Sequence, residues 1–100
     1  MKPIKIDENQ KKIVLSVLRK YFVNEKYFVF GSRATNKNLK SFSDLDIAIQ
    51  SAGKISTSDL AKASEDLAAS DLPFKVDLID LNSISEEFRL NIQGELVEFS

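Results

Sequence analysis

Two segments decide the fold of this chain, Phe30-Gly31-Ser32-Arg33 and Ser43-Asp44-Leu45-Asp46-Ile47. One apolar run ends at Gly31-Ser32, and a second begins after a polar loop and carries the two aspartates. Successive side chains of a β-strand point to opposite faces, so Asp44 and Asp46 share one face. The segments therefore predict two core strands, with a pair of carboxylates on one side of the second strand.

The acid pair predicts a bound cation. Two carboxylates side by side repel each other unless a cation lies between them. Mg²⁺ suits such a pair, because it takes oxygen ligands and keeps open positions for phosphate. Gly31 and Ser32 offer a tight turn, exposed N–H groups and a hydroxyl, which are groups that bind phosphate. A third acid, Asp77, lies within the apolar run 74–79, where a buried carboxylate is costly unless it is paired or metal-bound.

Composition narrows the possible chemistry. The chain has 100 residues and is 43% hydrophobic, which indicates one domain spanning residues 1–100. It has no cysteine and no histidine, which excludes disulfides, zinc fingers, thiol nucleophiles and imidazole acid–base catalysis. Any metal ion must therefore be held by oxygen, and the expected proton acceptor is a carboxylate.

Charge and hydropathy indicate where the protein acts. The formal net charge of −1 produces no field that would attract a long nucleic acid. No apolar run approaches the ~20 residues of a membrane span, and the first residues lack the apolar core of a signal peptide. We therefore expect a cytoplasmic protein that contacts no membrane.

Hydrophobic spacing predicts the order of secondary structure, with three- and four-residue spacing in helices and alternation in strands. In chain order the predicted elements are a helix at 8–23, a strand at 26–30, the start of a short helix at 32–35, a polar loop at 35–43, a strand at 44–50, a helix at 57–70, a strand at 74–81, a short helix opened by the capping-box pattern Ser83-x-x-Glu86, and a short last strand within 96–99. This order predicts an α+β domain, with one small mixed sheet and helices packed on one face.

Three motifs carry a resemblance to a known family, namely Gly31-Ser32-Arg33-Ala34, Ser43-Asp44-Leu45-Asp46-Ile47-Ala48-Ile49 and Val76-Asp77-Leu78-Ile79-Asp80-Leu81. Together they resemble the minimal nucleotidyltransferases of the DNA polymerase beta-like superfamily, which are often antitoxins paired with HEPN-domain toxins. The resemblance covers nearly the whole chain and implies the polymerase beta-like palm fold.

The resemblance also implies a role for each motif residue. The segment Gly31-Ser32-Arg33 corresponds to the turn that binds the nucleotide. Asp44 and Asp46 correspond to the pair that holds two Mg²⁺ ions, and Asp77 corresponds to a third metal ligand that helps to deprotonate the acceptor hydroxyl. The three acids are thus expected to be both catalytic and metal-binding.

Simpler roles remain open for some polar residues. Ser32 could be a helix cap, and Arg33 could pair with a surface acid instead of a phosphate. Asp80 is predicted to be structural, because it lies on the opposite face of its strand from Asp77.

The activity implied by the resemblance is Mg²⁺-dependent transfer of AMP from ATP to a hydroxyl of a partner protein. The expected partner is a HEPN-domain toxin, modified on a tyrosine and held with this chain in a hetero-oligomer. Two alternatives are an adenylyltransferase for small molecules of the aminoglycoside type and a non-catalytic antitoxin that acts by binding. The acidic balance of the chain argues against extension of nucleic acid.

Overall fold

The computed structural model describes residues 6–35 and 43–100, and it contains the elements in the predicted order. They are α1 (Glu8–Tyr21), β1 (Lys26–Phe30), α2 (Ser32–Thr35), β2 (Leu45–Gln50), α3 (Thr57–Ala68), β3 (Val76–Asp80), α4 (Glu86–Ile92), a 3₁₀ helix (Gln93–Glu95) and β4 (Val97–Glu98). Most of the loop predicted at 35–43 lies outside the described residues.

The four strands form one sheet in the order β3-β2-β1-β4. Strand β1 runs antiparallel to both β2 and β4, whereas β2 and β3 are parallel. A parallel pair needs a crossover connection, which α3 supplies between β2 and β3. The predicted mixed sheet is therefore confirmed, and β3 and β4 are its two edge strands.

The larger core lies between one face of the sheet and the helices α1 and α3. Alternate residues of the two central strands point into it, and they are buried with the apolar stripe of α1 and with two residues of α3: Tyr27, Val29, Leu45, Ile47, Ile49, Val14, Leu15, Leu18, Ala63 and Leu67. Strand side chains at two-residue spacing and helix side chains at three- and four-residue spacing thus pack into one apolar layer.

A second, smaller cluster lies on the opposite face of the sheet. It consists of Phe30, Ala48, Leu81 and Ile92, and Ile92 belongs to α4. The ring of Phe88, also in α4, meets the ring of Phe30 edge-on. The prediction of helices on one face is correct for α1 and α3, whereas α4 lies on the other face. The reason is that β1 is apolar on both faces, so the second face of the sheet must also be packed against apolar residues.

Helix starts follow from side-chain caps. Helix α1 is capped by Asp7, which forms a reciprocal capping box with Gln10. The predicted cap of α4 at Ser83 is wrong: the N-cap is Ser85, whose hydroxyl accepts the Phe88 N–H at 3.1 Å. Ser83 instead donates its hydroxyl to Asp80 at 2.9 Å.

Asp80 joins the end of β3 to the segment before α3, as its predicted structural role requires. It is only 3% exposed, and it accepts hydrogen bonds from the Ile55 and Asn82 N–H groups and the Ser83 hydroxyl at 2.9, 3.0 and 2.9 Å. Burial alone would raise the pKa of Asp80, but these three donors outweigh burial and lower the pKa below its ordinary 3.8.

Within residues 6–35 and 43–100, no helix has the length and apolar character needed to cross a membrane.

Replacing Asp80 should destabilise the fold. We expect Asp80→Ala to lower the free energy of unfolding by about 2 kcal/mol, because it leaves three part-buried donors without an acceptor. The folded-state pKa lies below the ordinary 3.8, so this loss should be complete above that pH and shrink as the pH falls further. Urea unfolding measures it, with the exposed Asp71→Ala as the control. Equal losses in the two variants would contradict the role of Asp80.

Candidate active site

The chain turns sharply where β1 ends. Gly31 has a φ of +77°, in the left-handed region that glycine adopts without strain. Its carbonyl accepts the N–H groups of Ala34 and Thr35 at 3.1 and 3.0 Å, so α2 begins directly at the turn. Ser32, the first residue of α2, is partly exposed beside this turn.

Strand pairing brings the predicted acids to this turn. Asp46 pairs with Asp77 in the parallel register of β2 and β3, and it pairs with Phe30 across β1. Gly31 follows Phe30 and lies so close to Asp46 that an added Cβ would be 2.5 Å from Oδ2. Asp44 is exposed and directly precedes β2. The strand begins at Leu45, one residue later than predicted. The predicted turn and the three predicted acids therefore lie together.

Negative charge is crowded around Asp46. Its pKa is raised to about 6, first by burial and then by the like charges of Asp77, Asp44 and Glu95. Lys75 approaches Asp77, with Nζ 3.4 Å from Oδ1, but the two side chains are 73% and 41% exposed, and solvent-exposed ion pairs contribute little. The site therefore carries an excess of negative charge that a cation would relieve.

The donor chemistry of the site fits Mg²⁺. Across residues 6–35 and 43–100, no three acidic side chains converge closely enough to hold one metal ion. The acids beside the Gly31 turn nevertheless offer carboxylate oxygens, which are the ligand type that Mg²⁺ prefers. Burial first, and then repulsion from the neighbouring carboxylates, raises the pKa of Asp46. A divalent ion between the carboxylates would turn that repulsion into attraction.

Glu95 belongs to the same cluster, although no sequence pattern predicted its place there. Its Oε1 accepts the N–H of Gly31 at 3.0 Å, and its charge contributes to the raised pKa of Asp46. The antiparallel pairing of Val29 with Val97, continued past the strand ends, sets residue 95 beside residue 31. A two-residue strand carries too weak a pattern to reveal such a register in advance.

Arg33 is buried beside the turn and is only 6% exposed. Its Nε donates to the carbonyl oxygen of Ser43 at 3.0 Å, and its guanidinium lies 4.1 Å from the centre of the Phe74 ring. Burial lowers its pKa from the ordinary value. Arg33 thus holds the residue before Asp44, and its contact with a phosphate stays a prediction.

These features define a nucleotidyltransferase: a mixed sheet, a Gly-Ser turn at the end of β1, and acids on the neighbouring strands. The chain matches the family described as Polymerase beta, Nucleotidyltransferase over residues 11–98, and it belongs to that family. The predicted family, fold and class of enzyme are therefore confirmed.

Known proteins similar to this chain include both a sequence relative and solved structures. The "Probable protein adenylyltransferase MntA" of Haemophilus influenzae is 38% identical over 77 residues, which are 77% of this chain and 67% of that protein. A crystal structure of a toxin-antitoxin with AMP-PNP has a TM-score of 0.74 at 23% identity and covers 90% of this chain and 72% of its own. The complex of tri-AMPylated Shewanella oneidensis HEPN toxin with MNT antitoxin has a TM-score of 0.67 at 23% identity, with coverages of 90% and 68%.

Substitution of Gly31 should disturb both the turn and Asp46. We expect Gly31→Ala to lower the free energy of unfolding by about 2 kcal/mol, because a left-handed backbone is strained by a side chain and the Cβ meets Asp46. Gly53→Ala is the control, since a Cβ there meets nothing within 4 Å. Urea unfolding compares the two variants, and equal stability would show that the turn tolerates a side chain.

The stability of the metal-free protein should depend on the charge of Asp46. Its folded-state pKa of about 6 exceeds the ordinary 3.8, so the ionised carboxylate destabilises the folded state. This destabilisation grows as the pH rises from the ordinary pKa to the folded-state pKa, and it is complete above the folded-state pKa. Because Asp46 is only partly buried, we expect Asp46→Asn to gain about 1 kcal/mol, or roughly 5 °C in Tm. The gain should be present at pH 7.5 in EDTA and absent at pH 4. Thermal melts check it, with Asp71→Asn as the control; a gain that is equal at both pH values would contradict it.

Proposed function

We propose that this chain transfers AMP from ATP to a hydroxyl of a partner protein in the cytoplasm, where ATP is available. The partner we propose is a HEPN-domain toxin, which the modification would inactivate and which would form a hetero-oligomer with this chain. The observation that carries the proposal is the crowding of Asp46, Asp77 and Asp44 beside the Gly31 turn. The similarity to MntA, named a probable protein adenylyltransferase, supports a protein acceptor.

In this proposal the turn binds the triphosphate. Ser32 offers its hydroxyl and the N–H at the start of α2, next to a glycine that allows close approach. Arg33 holds the Ser43 carbonyl, and so it keeps the turn in register with the segment that carries Asp44. This arrangement supports the proposed nucleotide-binding roles of Gly31, Ser32 and Arg33.

The three acids would hold Mg²⁺ in the same proposal. Asp46 and Asp77 would supply oxygen ligands from two adjacent strands, and Asp44 would supply them from the residue before β2. Two ions are what the family resemblance implies. When bound, Mg²⁺ supplies positive charge that stabilises the attacking and leaving oxygens of a phosphoryl transfer. The raised pKa of Asp46 supports this role, because a cation would favour its ionised form.

The reaction is an in-line substitution at the α-phosphate. A bond forms between the acceptor oxygen and the α-phosphorus, the bond to the bridging oxygen breaks, and pyrophosphate leaves. Asp77 accepts the proton of the acceptor hydroxyl. It lies on the edge strand β3 and is partly exposed, so a hydroxyl on a second protein can approach it. The chain itself contributes chiefly position and charge.

Transfer to a partner is tested by mass spectrometry. The chain is mixed with a HEPN-domain toxin of the same genome, ATP and MgCl₂, and the toxin mass should increase by whole AMP units. We expect Asp46→Asn to slow modification at least about 100-fold, because it removes charge from the reacting centre. Asp71→Asn, at an exposed residue outside the three motifs, should leave the rate unchanged.

Two outcomes would replace this proposal with the alternatives. A toxin that is bound and inactivated but keeps its mass, with Asp46→Asn equally effective, would indicate an antitoxin that acts by binding alone. An unmodified toxin together with adenylylation of an aminoglycoside would indicate a small-molecule adenylyltransferase.

A further inference from the structure

Glu95 is held at the turn by buried residues on both sides of it in sequence. Ile92 is 6% exposed in the second core cluster, and Phe99 is 1% exposed in the larger core. The Phe99 N–H also donates to the Tyr27 carbonyl at 2.8 Å. The short segment between these anchors has little freedom, so the contact of Glu95 with the Gly31 N–H at 3.0 Å is set by the fold.

This contact completes the restraint of the Gly31 backbone. The Gly31 carbonyl accepts the Ala34 and Thr35 N–H groups and also the Thr35 hydroxyl at 3.1 Å. The Gly31 N–H donates to Glu95. The backbone N–H and the carbonyl of Gly31 are therefore both hydrogen-bonded, and the residue cannot move without breaking one of these bonds.

The position of Gly31 limits the position of Asp46. The place that a Cβ of Gly31 would occupy lies 2.5 Å from Asp46 Oδ2, so the bare Cα of Gly31 forms one wall beside that carboxylate. A turn that moved would change the space available to the Asp46 side chain. Small displacements of a reacting group can cost large factors in rate.

We propose that Glu95 is a positioning residue of the active site, which holds the Gly31 turn and through it the carboxylate of Asp46. The proposal rests on the nucleotidyltransferase reaction described above. The Gly31 N–H is a neutral donor, so what Glu95 must supply is an acceptor oxygen, which a glutamine amide also provides. The negative charge of Glu95 is not needed for this role.

Two substitutions separate the acceptor from the charge. We expect Glu95→Ala to lower kcat for AMP transfer about 10- to 100-fold with little change in the KM for ATP, because the loss is one of position. Glu95→Gln should retain kcat within about threefold of the unsubstituted chain, since it keeps the acceptor. Glu98→Ala is the matched control, an exposed glutamate of β4, and it should leave both constants unchanged.

The contact itself has a readout that does not depend on activity. Hydrogen exchange of the Gly31 amide, followed by NMR, should be slow in the unsubstituted chain and in Glu95→Gln and faster in Glu95→Ala. If no AMP is transferred by the unsubstituted chain, the proposed function fails, and unequal exchange rates would still support the positioning contact. Equal exchange rates in all variants would overturn it.

A competing role gives the opposite kinetic result. If Glu95 instead occupied an N–H that the nucleotide needs, Glu95→Ala would bind Mg²⁺-AMP-PNP more tightly in calorimetry, whereas Glu95→Gln, which keeps the acceptor, would bind it like the unsubstituted chain. Tighter binding by Glu95→Ala, with undiminished kcat, would overturn the positioning role. It would indicate that Glu95 competes with the nucleotide for the Gly31 N–H.

Discussion

The register of three strands is the constraint on which the site depends. Asp46 lies opposite Phe30 on one side and Asp77 on the other, so the turn and two acids meet only in this register. The neighbours Leu45 and Ile47 are fully buried in the larger core. A slip by one residue would expose them and bury the acids. The hydrophobic effect on one face of the sheet thus holds like charges together on the other face.

The second face of the sheet is divided between packing and chemistry. Along β2, Ala48 is buried under Ile92 of α4, whereas Asp46, two residues earlier on the same face, lies at the turn. The segment that follows α4 returns along β1 and brings Glu95 to Gly31. One connection, from α4 to β4, therefore both covers the apolar half of the face and contributes a side chain to the polar half.

Sequence reasoning succeeded where the signal was local and periodic. Alternation placed Asp46 on the face opposite the buried Leu45 and Ile47, and the apolar run around Asp77 identified its strand. It failed where two local patterns competed, as when Asp80 took the hydroxyl of Ser83 and left Ser85 to cap α4. Glu95 could not be placed in advance, because its contact joins residues 64 positions apart through a strand too short to show a pattern.

Two acids of this sheet show how their surroundings assign their roles. Asp80 is almost fully buried, yet three donors lower its pKa, so its charge is already compensated and its role is structural. Asp46 is less buried, but burial and three like charges raise its pKa to about 6. Charge compensation for Asp46 must therefore come from outside the cluster of acids. A cation brought with a nucleotide would supply it, and this difference separates a structural aspartate from a candidate catalytic one.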